Sequence, residues 1–140
     1  MTDATPVKVG DSAEYERLVT ADDIQKFAEV TGDTNPLHRD ATYAAKTRFG
    51  EPIAHGMLSA GYISAVLGTK LAPDRTAVYL SQSLRFLRPV KIGDTIKAVA
   101  EVKAIDGEKG TYTLETICYN QGGEPVVKGE AVVLLDAVDG

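Results

Sequence analysis

The spacing of apolar positions divides this chain into a helical first half and a stranded second half. Glu14 to Val19 reads as a short opening strand. Ile24, Phe27, Ala28 and Val30 then recur at roughly helical spacing. Ahead of them, Thr20-Ala21-Asp22-Asp23 is a capping-box variant, with Asp23 where Glu or Gln is more usual. Gly32 supplies the stop signal. Asp40 can cap a short helix over Ala41–Lys46, and Phe49-Gly50-Glu51-Pro52 links it to the next element. From Gly56 to about Lys70, apolar residues surround the predicted helix on nearly every side. A helix apolar all round is buried all round. Its glycines at 56, 61 and 68 predict close backbone approach to a sheet or a ligand.

After Pro73-Asp74 the period drops to two. Val78, Leu80, Leu84 and Phe86 fall on one face of a strand-like run. Ile96, Ala98, Ala100, Val102 and Ala104 alternate more cleanly and predict an inner face. Asp106–Gly110 and Asn120–Pro125 read as hairpin connections into strands over Thr111–Tyr119 and Val126–Leu135. The economical packing is α+β: one domain over residues 1–140, a curved antiparallel sheet wrapped around a long buried central helix. A lone sheet of this kind exposes its edges and part of its helix, so the pattern predicts a homodimer.

The stretch Thr31-Gly32-Asp33-Thr34-Asn35-Pro36-Leu37-His38 carries the candidate chemistry. Pro36 has no N–H and pushes Asn35 toward extended geometry, which predicts a rigid non-helical loop. Such a loop aims the Asp33 carboxylate and the His38 imidazole at one spot, as acid–base work on a bound water requires. His55-Gly56 follows where the apolar helix begins. An unobstructed glycine N–H at a helix start can receive a developing oxyanion; tight helix–sheet contact is the other reason for a glycine there. Asn35 suits side-chain bonds that hold the loop. Ser64, eight residues beyond Gly56, lies about two turns along the same face. It can line a ligand tunnel or bond back to its own helix.

Composition narrows the classes. The apolar and charged fractions, 44% and 25%, are ordinary for a globular domain of 140 residues. Net charge of −5 argues against nucleic-acid binding, which needs a basic face. Arg85, Arg88 and Lys91 still cluster enough to meet a phosphate-bearing ligand, unless they are only a solvated strand end. Met1 to Pro6 has no secretory pattern, and residues 53–71 are too broken by polar residues and glycine to span a membrane. The single cysteine, Cys118, forms no internal disulfide and suits the core of a cytoplasmic protein. His38 and His55 lack i,i+4 spacing and the thiol has no C-x-x-C partner, so no metal is expected. No G-x-G-x-x-G follows a strand, so no nicotinamide cofactor is expected either.

The order of elements resembles the hot-dog fold. Within it, Asp33-Thr34-Asn35-Pro36-Leu37-His38, Ala54-His55-Gly56-Met57 and Ser81–Val90 followed by Gly93-Asp94 resemble the MaoC-like (R)-specific enoyl-CoA hydratases. The likeness runs from about Val7 to Leu135 and is greatest to short bacterial hydratases of polyhydroxyalkanoate precursor supply. It implies (R)-specific hydration of trans-2-enoyl-CoA, with Asp33 and His38 catalytic, the thioester oxyanion at Gly56 N–H and a substrate contact at Ser64. Substrate-binding roles are also expected for Asn35 and Arg88. The CoA thioester is substrate rather than cofactor. Which of Asp33 and His38 takes the water's proton stays open at this level.

Three other readings compete. A dehydratase subunit acting on 3-hydroxyacyl carrier protein would run the same chemistry in reverse. A hot-dog thioesterase commonly places a carboxylate on or beside the central helix, and residues 52–73 contain neither Asp nor Glu, which weakens that reading. A non-catalytic acyl-CoA-binding subunit would leave Asp33 and His38 without a purpose.

Overall fold

A computed structural model describes residues 6–137. The expectation of no secretory pattern at the N-terminus therefore falls almost wholly outside the described residues, as do both ends of the expected 1–140 domain. Strand β1 (Ser12–Leu18) leads into helix α1 (Ala21–Thr31). The capping box forms as the sequence indicates. Thr20 Oγ1 accepts from Asp23 N–H at 3.1 Å, and the Asp23 carboxylate accepts from Thr20 N–H at 3.4 Å. Ile24 and Ala28 are buried, but Val30 is 86% exposed and leaves the expected apolar face. Gly32 ends α1 in the left-handed region at φ 80°, where a glycine avoids a Cβ clash.

Two short helices follow, α2 (Pro36–Arg39) and α3 (Ala41–Ala44). The first corrects the expected non-helical loop, because His38 sits on a helical turn. Pro36 occupies its first position, where the missing N–H costs nothing and the fixed φ is already helical. Asp40 caps α3, accepting from Tyr43 N–H at 3.1 Å.

Helix α4 (Gly56–Ala65) runs into a π-helical turn over Val66–Lys70. The wide turn is closed by Leu71 N–H donating to the Val66 carbonyl at 2.9 Å. Ser59, Tyr62, Ile63, Val66 and Leu67 are buried, and α4 packs across β1 and the strands that follow. The expectation of burial on every side is corrected here. Gly56, Met57, Gly61 and Ser64 are exposed, so α4 is half core and half cavity wall.

The remaining strands are β2 (Arg75–Gln82), β3 (Arg85–Phe86), β4 (Thr95–Asp106), β5 (Thr111–Tyr119) and β6 (Pro125–Ala137). They pair antiparallel in the order β1-β4-β5-β6-β2, with β3 also on β6. Ile96, Ala98, Ala100 and Val102 are fully buried, as the alternation predicts. Ala104 is exposed instead, because a register shift between Val102 and Ala104 turns β4 over.

The predicted face of β2 is corrected too. Val78 and Leu80 are 40% and 51% exposed, and Ala77 packs against the core. The pairing slips between Tyr79 and Ser81, and β2 is an edge of the sheet. Cys118 is buried in β5, and burial pushes its thiol up to about 12. Among the described residues, no helix is long and apolar enough to cross a membrane.

Candidate active site

The chain leaving α1 is held by Thr31. Its hydroxyl donates to the Phe27 carbonyl at 2.7 Å and accepts from Asp33 N–H at 3.2 Å. Asn35 then spends its carboxamide oxygen on Leu37 N–H, 3.0 Å away, which caps α2. It lines neither of the two cavities described below, and its carboxamide oxygen serves the loop.

His38 is aimed by main chain. Its Nδ1 lies 2.7 Å from the Ile53 carbonyl oxygen. A carbonyl only accepts, so Nδ1 carries the hydrogen and the neutral ring presents Nε2 as an acceptor. Ile53 is fixed in turn by a bridge to Lys91, and Ala54 N–H donates to the Val90 carbonyl at 2.7 Å.

His55 immediately precedes α4 and is 3% exposed. Its Nε2 donates to the Asp33 carbonyl at 2.9 Å. The His38 and His55 rings stack with centroids 3.9 Å apart and planes 28° from parallel. One side-chain donor or acceptor atom from each of Asp33, His38 and His55 lies within 4.8 Å of the others. That spacing suits a shared water. Each ring commits one nitrogen to a carbonyl, which leaves its other nitrogen as an acceptor.

Gly56 opens α4, and its N–H belongs to the set a helix leaves without an intrahelical acceptor. No side chain caps this end. The positive end of the helix dipole thus faces the same space as Asp33 and His38.

That space is a cavity of about 780 Å³. Asp33, His38, Gly56 and Ser64 all line it, so four of the expected site residues meet on one wall system. Ser64 presents itself to the cavity rather than being buried against its own helix. A second cavity, about 560 Å³, adjoins the first: His38, Gly56 and Met57 line both. Arg88 lies on this second cavity together with Arg48.

Of the expected basic cluster, Arg88 lines the second cavity, whereas Arg85 and Lys91 line neither of the two. Arg88 Nη1 is 3.4 Å from Glu124 and Lys91 is 3.8 Å from Glu51, all of them half-exposed pairs. Such pairs are worth little and exchange readily for another anion.

The sequence reading missed several wall residues. Gln82 donates to Thr116 Oγ1 at 3.0 Å and accepts from the Tyr79 hydroxyl, making a polar strut in the first cavity. Alternation hid them because the β2 bulge falls between Tyr79 and Ser81. Arg48 carried no signal beyond its charge.

Comparison with known proteins places the chain among relatives of one family. A family model described as a MaoC-like domain matches residues 4–119. An (R)-specific enoyl-CoA hydratase of Rhodospirillum rubrum is 47% identical over 131 residues, covering 94% of this chain and 90% of that protein. A 3-hydroxybutyryl-CoA dehydratase of Methylorubrum extorquens is 44% identical over 127 residues, covering 91% and 80% respectively. The solved (R)-hydratase of Aeromonas caviae, described as involved in PHA biosynthesis, superposes with a TM-score of 0.89 at 43% identity. That match covers 94% of this chain and 99% of the other.

Proposed function

The chain belongs to the MaoC-like domain family, and we propose that it adds water to trans-2-enoyl-CoA, giving (R)-3-hydroxyacyl-CoA. The observation that carries this reading is the meeting of two cavities at His38 and Gly56. An acyl chain in the first and a pantetheine arm in the second place the thioester and its C2–C3 double bond at that junction.

Hydration forms a C3–O bond and a C2–H bond, and negative charge gathers on the thioester oxygen between these events. Asp33 and His38 hold one water between them. His38 Nε2 accepts from it, Asp33 takes its proton, and the pair returns a proton to C2. A coupled pair of this kind titrates as a unit. Gly56 N–H receives the enolate oxygen, and loss of one such donor typically costs about 2.7–4 kcal/mol. Proton and oxygen both come from water, and Asp33, His38 and the Gly56 N–H supply base, acid and oxyanion donor, so the proposed route uses no metal or cofactor. Ser64 contacts the acyl chain, and Arg88 exchanges Glu124 for a phosphate of CoA.

The homologous proteins named as (R)-specific hydratases support the stereochemistry. A homodimer paired through β2 would cover Val78 and Leu80, and a reducing cytoplasm suits the buried free Cys118. The direct test follows loss of enoyl-thioester absorbance with crotonyl-CoA and a longer enoyl-CoA, then resolves the product enantiomers. Formation of the (R)-alcohol supports the reading; no loss of either substrate, or an (S)-product, rejects it.

A further inference from the structure

We propose that His55 is a positioning residue for this reaction, fixing the main chain of Asp33 through Nε2–H and restraining the His38 ring by stacking. The inference rests on the hydration reading above and adds a third side chain to it. Asp33 is exposed, and the bond that its carboxylate accepts from Asn35 N–H is long, 3.4 Å. Its aim therefore depends on where the backbone points, and the His55 bond at 2.9 Å fixes the Asp33 carbonyl. The same ring lies on His38 at 3.9 Å, with Phe27 on it at 4.7 Å and 44°. Both proposed catalytic groups are thus referred to one buried imidazole, 22 and 17 residues away in sequence.

Chemistry argues that His55 is more than filler. With Nε2–H committed to Asp33, Nδ1 is a bare acceptor, and it is buried with no hydrogen-bond partner among the described residues. An unmatched buried acceptor is a cost that phenylalanine or leucine would avoid in the same space. The imidazole is retained for what its other nitrogen does. Its N–H sets the Asp33 loop while its face sets the ring that shares the water.

Two variants of the full chain and one wild-type measurement test this. His55→Phe keeps an aromatic face and removes the donor. It should lower kcat for crotonyl-CoA by about 10²-fold, the scale of a 1 Å misplacement, with KM little changed. His55→Gln restores an N–H near the Nε2 position and should recover most of that loss. Nitrogen NMR of the wild type should show His55 as the Nε2–H tautomer and His38 as the Nδ1–H tautomer. A His55→Phe enzyme with near wild-type kcat, a His55→Gln enzyme no better than it, or an Nδ1–H tautomer at His55 overturns the proposal. If either variant fails to fold, the wild-type tautomers decide it. An inactive wild type would instead sink the hydration reading, so the two failures are distinguishable.

Discussion

The ring of Phe86 lies so close to Gly56 that a Cβ at residue 56 would stand 2.6 Å from its Cε1. Both reasons for a glycine at this helix start therefore operate together: an accessible N–H and an aromatic ring pressed against it. Gly56→Ala keeps the N–H but must push away Phe86, which walls the second cavity. We expect kcat/KM to fall by up to about 10²-fold, as displaced reacting groups do. Adding Phe86→Leu should recover much of the loss. A double variant as impaired as Gly56→Ala alone would show that the ring is not why glycine stands there.

Arg88 should act on binding rather than on chemistry. A phosphate contact remote from the double bond holds ground and transition states alike, so Arg88→Ala raises KM for enoyl-CoA and leaves kcat nearly unchanged. The difference should shrink with added salt, since exposed charges are screened over about 8–10 Å near physiological ionic strength. An enoyl-pantetheine substrate without the nucleotide should be indifferent. Equal loss on that truncated substrate would make Arg88 structural.

Asp23 ties β1 to α1. The Arg17 guanidinium donates to both of its oxygens, at 3.0 and 2.7 Å, and holds the carboxyl below its ordinary value. A carboxyl lowered by folding stabilises the protein above its unfolded value, about 3.9, and loses that contribution as pH falls through the folded value. Asp23→Ala also breaks the capping box and should cost about 1 kcal/mol at neutral pH. Urea midpoints at pH 7 and pH 3 check this: the gap between wild type and variant should narrow in acid. A gap that is constant or wider in acid contradicts it.

The exposed edge strand predicts association. Val78, Tyr79 and Leu80 put apolar side chains along β2, at one end of the strand order. Sedimentation at micromolar concentration should give twice the chain mass, and Leu80→Arg should weaken the assembly. An active wild-type monomer would defeat the dimer.

Local signals were the legible ones. Thr20 and Asp23 meet within one helical turn, so their capping box could be read from spacing alone. The Asp33–His38 segment was legible as chemistry, yet its helical turn was not, because proline is tolerated at a first helical position. Alternation failed where one residue slips the register, hiding the Tyr79–Gln82 strut and turning Ala104 outward. The half-open face of α4 was hidden by its own composition: the residues lining a ligand-sized cavity are as apolar or small as those lining a core. The bond from His55 to the Asp33 carbonyl joins segments 22 residues apart and exists only once α1 and α4 are packed.

The central claim is that Asp33 and His38 act as a unit on one water. It is tested most directly by kcat for crotonyl-CoA in Asp33→Asn, His38→Gln and the double variant, each with the fold verified by circular dichroism. Each single change should lower kcat by about 10²–10⁴-fold, the range for a general acid or base. The double variant should lose little more than the worse single one, because either loss already idles the shared water. Near wild-type turnover in either single variant, or fully multiplicative losses in the double, would contradict the account.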